Sequence, residues 1–344
     1  MDELTFAVVG AGFMGGVLAR VGRELPYSRC VAAVDVDIQK ARQLVDLVGG
    51  KAYSDLGAMF HDESPDAIIV ATPENSHRDP AVAAAENGSH VFVEKPMATS
   101  LSDADAMIRS CESAGVKLMI GHILRFDVNY VMIQDAIRAG NIGRFLTAYA
   151  RRMAPIGEAR RLGGRVSPIT YIGVHDIDLM LWYQPELVKS VYARAVRGRV
   201  WDEFQTFDAA WLTIEFEDGS IGIQEVGWCL PEEWTGWQTP ESWGGFGDVR
   251  MNVIGTRGAA NINYTPMDLY AVDREGWKFP DTRHWPTMNG KLVGAAKLEI
   301  EHFFECILND EEPLITGETA RRSVEVMLAA EMSIDEDRIV TLPA

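Results

Sequence analysis

Six residues, Gly10-Ala11-Gly12-Phe13-Met14-Gly15, constrain this chain most, because they follow the apolar run Leu4 to Gly10 and open a stretch with helical character. In that context each glycine serves a physical purpose. The first allows a tight turn, the second lets backbone approach a pyrophosphate, and the third permits close helix packing. The helix start supplies amide donors and the positive end of a dipole to an anion. Asp35 closes the next apolar run, about twenty residues beyond the third glycine, where a carboxylate accepts hydrogen bonds from adenosine ribose hydroxyls. Asp37 adds a second acid where an NADP site would more often offer an arginine, and this pair repels a 2′-phosphate. The pattern predicts NAD, held by Gly10, Gly12, Phe13, Met14, Gly15 and Asp35. The competing reading is a plain glycine turn with Asp35 capping the next helix.

From Leu4 to about Gly121, the apolar runs 4–10, 29–35, 66–72, 90–96 and 116–121 alternate with amphipathic segments, as strands do when joined by crossover helices. Their near-continuous apolar character fits a parallel sheet covered on both faces. Beyond Gly121 a helix at about 126–139 comes first. The runs 144–153, 188–199, 209–216, 220–228, 249–255, 259–264 and 269–274 then show the alternation or β-branched enrichment of antiparallel strands. Glu217-Asp218-Gly219 reads as a hairpin turn, and 169–182, 294–308 and 318–334 as helices. The expected fold class is α/β: an N-terminal Rossmann domain with a parallel sheet at 1–121, followed at 122–344 by an α+β domain with a large, mostly antiparallel open sheet.

Composition narrows the partners. At 344 residues the chain exceeds one ordinary hydrophobic core, consistent with two domains. A net charge of −18 repels phosphate backbones and anionic bilayers, so neither nucleic acid nor membrane is expected as a partner. Cys30, Cys111, Cys229 and Cys306 are scattered, without the spacing of a metal site or disulfide framework; reduced thiols and no metal are expected. The chain enters its first strand without a basic leader, and no apolar stretch approaches the roughly 20 residues a bilayer requires, so the expected compartment is the cytoplasm.

Two more segments, Ala71-Thr72-Pro73-Glu74-Asn75-Ser76-His77 and Glu94-Lys95-Pro96, stand at the carboxyl ends of strand runs, the edge where parallel sheets bind ligands. Gly121-His122-Ile123-Leu124-Arg125-Phe126 closes the last such run, and Gly173-Val174-His175-Asp176-Ile177-Asp178 falls in the helix at 169–182. In this order, and over essentially the whole chain, these motifs resemble those of the Gfo/Idh/MocA family of oxidoreductases. The resemblance implies an NAD-dependent dehydrogenase acting on a hydroxyl of a small-molecule sugar, polyol or sugar derivative. It also implies a homo-oligomer, dimer or tetramer, packed through the open sheet. It is specific for the family and not for the substrate.

The resemblance adds Thr72, Pro73, Asn75, His77, Glu94 and Lys95 to the cofactor site, and Lys95, Arg125 and His175 to the substrate site, for which Tyr171 is a further candidate. Arg152, like Arg160, Arg161 and Arg165, reads either as a partner for a substrate carboxylate or phosphate or as a loop arginine paired with local acids. Lys95 and His175 take the catalytic roles. Removing hydride from a carbinol carbon requires loss of the hydroxyl proton, which suits an imidazole with an ordinary pKa of about 6.5, while an ammonium stabilises developing alkoxide charge. One departure stands out: many members similar to this chain place Asp four residues before the histidine, where this chain has Tyr171. A phenol relays a proton but supplies no negative charge to His175, so Tyr171 stands either as a third catalytic residue or as a substrate-packing ring. Asp178, one turn beyond, either orients His175 or bonds structurally.

Trp228, Trp234, Trp237 and Trp243 crowd the stretch 228–246, which reads as a lid stacking on sugar faces or as a clasp on a neighbouring subunit. Two other functions share the same framework. One is an NAD-dependent glycosidase that moves a hydride transiently; the other is a non-catalytic NAD-binding sensor.

Overall fold

The computed structural model describes residues 3–231, 247–264, 269, 271–274, 276–278 and 281–342. The chain forms two compact units, 1–126 with 283–324 and 127–282 with 325–344. The first unit is built on six strands: β1 (Leu4–Val9), β2 (Ser28–Val34), β3 (Lys51–Tyr53), β4 (Ala67–Val70), β5 (His90–Glu94) and β6 (Leu118–Gly121). Their order is β3-β2-β1-β4-β5-β6 and every neighbouring pair is parallel. Phe6, Ala7, Val8, Ile68, Ile69, Val91, Phe92 and Val93 are sealed from solvent, as continuous apolar runs require. The edge strand β3 escapes sequence reading because it has three residues, begins at the exposed Lys51 and never buries a side chain fully.

The division between units is not linear. Residues 283–324, expected with the second domain, belong to the first. The helix Ala295–Asn309 gives the reason: its Phe304 ring lies 5.3 Å from Phe6 and its Phe303 ring 5.7 Å from Phe92, covering two of the largest side chains of the sheet. Burying each such ring contributes roughly 1.5–3 kcal/mol. The amide of Ile120 in β6 also donates to the carbonyl of Ile315 at 3.1 Å.

The second unit holds β7 (Phe145–Pro155), β8 (Val188–Val196), β9 (Ala209–Phe216), β10 (Ile221–Leu230), β11 (Asp248–Gly255) and β12 (Ala259–Asn263). Two short hairpins stand apart, β13 (Ala271–Asp273) with β14 (Gly276–Lys278) and, in the first unit, β15 (Thr287–Met288) with β16 (Lys291–Leu292). With β17 (Val340–Thr341) the large sheet runs β12-β11-β7-β10-β9-β8-β17. Its pairs are antiparallel except β7 with β10. Gly219, at φ +81°, makes the expected turn between β9 and β10. The helix Val174–Tyr183 packs on one face of the sheet, close enough that a side chain at Gly222 would meet Met180 Sδ at 2.8 Å. The predicted helix at 169–182 begins differently: Ile169–Gly173 is a wider π turn, and the α-helix starts at Val174.

Candidate active site

The first unit carries the dinucleotide half-site. Gly10 sits at φ +96°, and a Cβ there would lie 2.5 Å from the Ala71 carbonyl oxygen, so the turn after β1 closes only with glycine. A Cβ on Gly15 would run into the Gly10 carbonyl. Gly12 is different: a Cβ on it would meet nothing within 4 Å, so its backbone faces open space. It precedes the helix Phe13–Glu24, where no side chain caps the first turn and no acid stands in it. Amide donors at such an uncapped start suit a pyrophosphate.

Asp35 follows β2 and accepts from the amides of Ala11 at 2.8 Å and Asp37 at 2.9 Å. Each carboxylate oxygen keeps a further lone pair for a ribose hydroxyl. The cap of the next helix, Ile38–Val48, is Asp37, whose side chain accepts from the Gln39 amide at 3.0 Å. The competing assignment of Asp35 as that cap therefore fails. Phe13 is 45% exposed and meets Trp285 edge to face at 5.5 Å; Met14 is half-buried.

The loops after β4 and β5 are tied together by His77. Its Nδ1 lies 3.0 Å from the Pro96 carbonyl and its Nε2 2.9 Å from the Thr72 carbonyl, and burial holds its pKa below the ordinary value. At 1% exposure its ring is turned into the protein, where it ties the two loops to each other. Thr72 Oγ1 donates to the Ser76 carbonyl at 3.0 Å, Pro73 leads into the short turn Glu74–Ser76, and Asn75 is exposed. Glu94 ends β5 and accepts from the Lys95 amide at 3.1 Å. Burial pushes its pKa up to about 7 against the pull of the Lys95 charge. Lys95 is half-buried, and Arg125 is buried on the turn Ile123–Phe126.

The second unit carries His175, on the first turn of the helix Val174–Tyr183 and 9% exposed, with Asp178 buried one turn later. Tyr171 lies on the π turn. Its phenol oxygen accepts from Arg161 Nη2 at 2.6 Å, the same guanidinium lies 5.4 Å from its ring, and Glu158 holds Arg161 from behind at 2.7 Å. Arg152 is placed otherwise than expected. It is 3% exposed and makes a two-point ion pair with the buried Asp176, at 2.9 and 2.8 Å, with Tyr130 accepting at 3.3 Å. Those partners make it a core ion pair within the second unit. Trp228 is likewise a core ring, fully buried with its indole N–H on the Phe207 carbonyl at 2.8 Å; Trp234, Trp237 and Trp243 lie outside the described residues.

Comparison with known proteins decides the family. Residues 4–122 match the model of the Gfo/Idh/MocA oxidoreductase family with an NAD-binding Rossmann fold, and 130–261 match that family's C-terminal domain. The chain belongs to the Gfo/Idh/MocA family. As a member it is an NAD-binding oxidoreductase. It is 28% identical over 337 residues to scyllo-inositol 2-dehydrogenase (NAD(+)) of Bacillus subtilis, covering 95% of this chain and 93% of the relative. It is 25% identical to 2,7-anhydro-N-acetylneuraminate hydratase of Mediterraneibacter gnavus, covering 99% and 97%. In fold it matches scyllo-inositol dehydrogenase from Lactobacillus casei, solved with NAD(H) and scyllo-inositol, at a TM-score of 0.84 and 20% identity over the full length of both chains.

Proposed function

We propose that this Gfo/Idh/MocA protein is an NAD-dependent dehydrogenase of a polyol or sugar hydroxyl. The reading is carried by the first unit's half-site, an open glycine turn with an uncapped helix start and Asp35 beside it, and is supported by the inositol dehydrogenase among its relatives. NAD, when bound, supplies the hydride acceptor. The chain's own part concerns the hydroxyl. Lys95 donates to the hydroxyl oxygen and stabilises the negative charge that develops there. His175 takes the proton. Tyr171 assists that transfer, its phenol oxygen held in place by the Arg161 guanidinium. Thr72, Pro73 and Asn75 line the cofactor; Arg125, though buried, stays on the substrate side.

The second unit is proposed as the oligomer interface, in a dimer or tetramer. Tyr149, Trp211, Ile221, Ile223 and Ile254 share one face of the large sheet, each 38–41% exposed. Such an apolar patch favours association, and light scattering at micromolar protein is expected to give a dimer or larger; a monomer contradicts it. Among the described residues no helix is long and apolar enough to cross a membrane. We place the protein in the cytoplasm, in keeping with its four unpaired cysteines.

The hydratase relative favours a second reading, in which hydride transfer is transient and an elimination or hydration results. Incubation with NAD and a panel of inositols, aldoses, uronates and glycosides, read by NADH absorbance and by product analysis, separates the two. NADH accumulating with a polyol supports the dehydrogenase; product without NADH supports the other.

A further inference from the structure

Glu299 is an ionisable residue that this chemistry leaves unused, and it occupies an unfavourable place for an acid. The helix Ala295–Asn309 buries a stripe of Ala295, Ala296, Glu299, Ile300, Phe303 and Phe304. Glu299 is 0% exposed, and neither of its carboxyl oxygens has a hydrogen-bond partner among the described residues. An ionised carboxylate there would lose its hydration with no donor in exchange, so the group keeps its proton. Glu94, at the end of β5 and itself 7% exposed, lies on the strand this helix covers: Phe303, one turn on from Glu299, packs at 5.7 Å on Phe92, which shares a face of β5 with Glu94, and the Glu94 charge opposes ionisation of Glu299. The same strand end leads into Lys95, whose amide donates to Glu94. Gln or Leu would suit the stripe better than an acid. A core acid without a partner, beside a strand end that carries a charged lysine, is the kind of stability sacrificed for function.

We infer that Glu299 and Glu94 form a buried carboxyl pair carrying one negative charge rather than two, and that Glu299, the proton-bearing member, is a positioning residue for the Lys95 ammonium. A single charge on Glu94 balances the ammonium and keeps it protonated. Two charges would overbalance it and draw it back from a hydroxyl oxygen. The assignment rests on the reading of Lys95 as the group at the hydroxyl. Other ionisable groups on the elements packed against this helix are Arg20, Arg23 and Glu24 of Phe13–Glu24, Arg125 of the turn Ile123–Phe126, and His122 before that turn. Lys297, Glu301, His302, Glu305 and Cys306 lie on the helix itself.

Two measurements test the pair without substrate. Glu299 is held well above the ordinary 4.5 by burial, so the folded state keeps a proton that the unfolded state releases, and stability falls as pH rises above about 4.5. E299Q lacks that penalty: its Tm should exceed that of the unaltered protein at about pH 8, with the gap closing toward about pH 4. Second, in lysine-selective ¹³Cε NMR spectra the Lys95 signal, identified by its loss in K95R, should step near pH 7 as Glu94 ionises. The step should stay in place in E299Q, which keeps a neutral polar neighbour, and move up by about one pH unit in E299L, which has none. A Tm gap that does not vary with pH, or a Lys95 step unmoved in E299L, overturns the inference. Full turnover by a K95A enzyme would instead remove the catalytic reading of Lys95 and leave the carboxyl pair standing.

Discussion

The Asp35 carboxylate accepts a hydrogen bond from the Ala11 amide at 2.8 Å, fastening the end of β2 to the glycine turn. A 2′-phosphate brought to the same carboxylate meets like charge at close range. NAD should therefore bind more tightly than NADP, and Asp35→Ser should narrow the difference in isothermal titration. Losing the tie to Ala11 should also cost about 1 kcal/mol of stability. Equal affinity of the unaltered protein for both cofactors would contradict the assignment.

Arg152 and Asp176 make the opposite kind of contact, with both charges buried and satisfied. Gln224 adds a third donor to Asp176 at 3.2 Å. Removing one partner strands the other charge, so Arg152→Ala should destabilise the protein by roughly 3–5 kcal/mol in urea unfolding. Substrate KM should change little wherever the variant remains folded. A stable Arg152→Ala protein with a greatly raised KM would return Arg152 to the substrate site.

His77 gives a pH dependence with a definite sign. Its folded pKa lies below the ordinary 6.5 because of burial, so between those values the unfolded state binds the extra proton. The stability it contributes is complete above about pH 6.5 and is lost as pH falls below it. Tm measured between about pH 8 and 5 should drop less steeply for His77→Gln than for the unaltered protein. Parallel slopes would show that His77 does not titrate on unfolding.

Much of this architecture is written in the sequence because its signals are local. The glycine turn, Asp35, the hairpin at Gly219 and the helix bearing His175 depend on residues within a few positions of each other. The pairing of Arg152 with Asp176 joins residues 24 apart through a folded strand and helix, and no spacing announces it. The packing of Phe303 and Phe304 on Phe92 and Phe6 spans most of the chain, which is why a linear boundary misplaces 283–324. Glu299 did leave a trace: it occupies a position of the apolar stripe Ala295, Ala296, Ile300, Phe303 where the helical period calls for a hydrophobic side chain.

Tyr171 stands where the family resemblance leads one to expect Asp, and its contact with Arg161 at 2.6 Å gives that position a consequence. Tyr171→Phe keeps the ring and removes the oxygen that Arg161 engages. With the phenol in the proton path, kcat should fall by roughly 10²-fold with little change in KM. A near-normal kcat with an altered KM would reduce Tyr171 to packing against substrate.

The most direct test of the whole account is single-turnover formation of NADH, followed by absorbance, with the polyol that gives turnover and with enzyme in excess. Replacing Lys95 or His175 by Ala should slow that step by roughly 10²–10⁴-fold while NAD affinity, measured separately, stays within a few-fold of the unaltered enzyme. A His175→Ala enzyme that forms NADH at an undiminished rate would contradict the account.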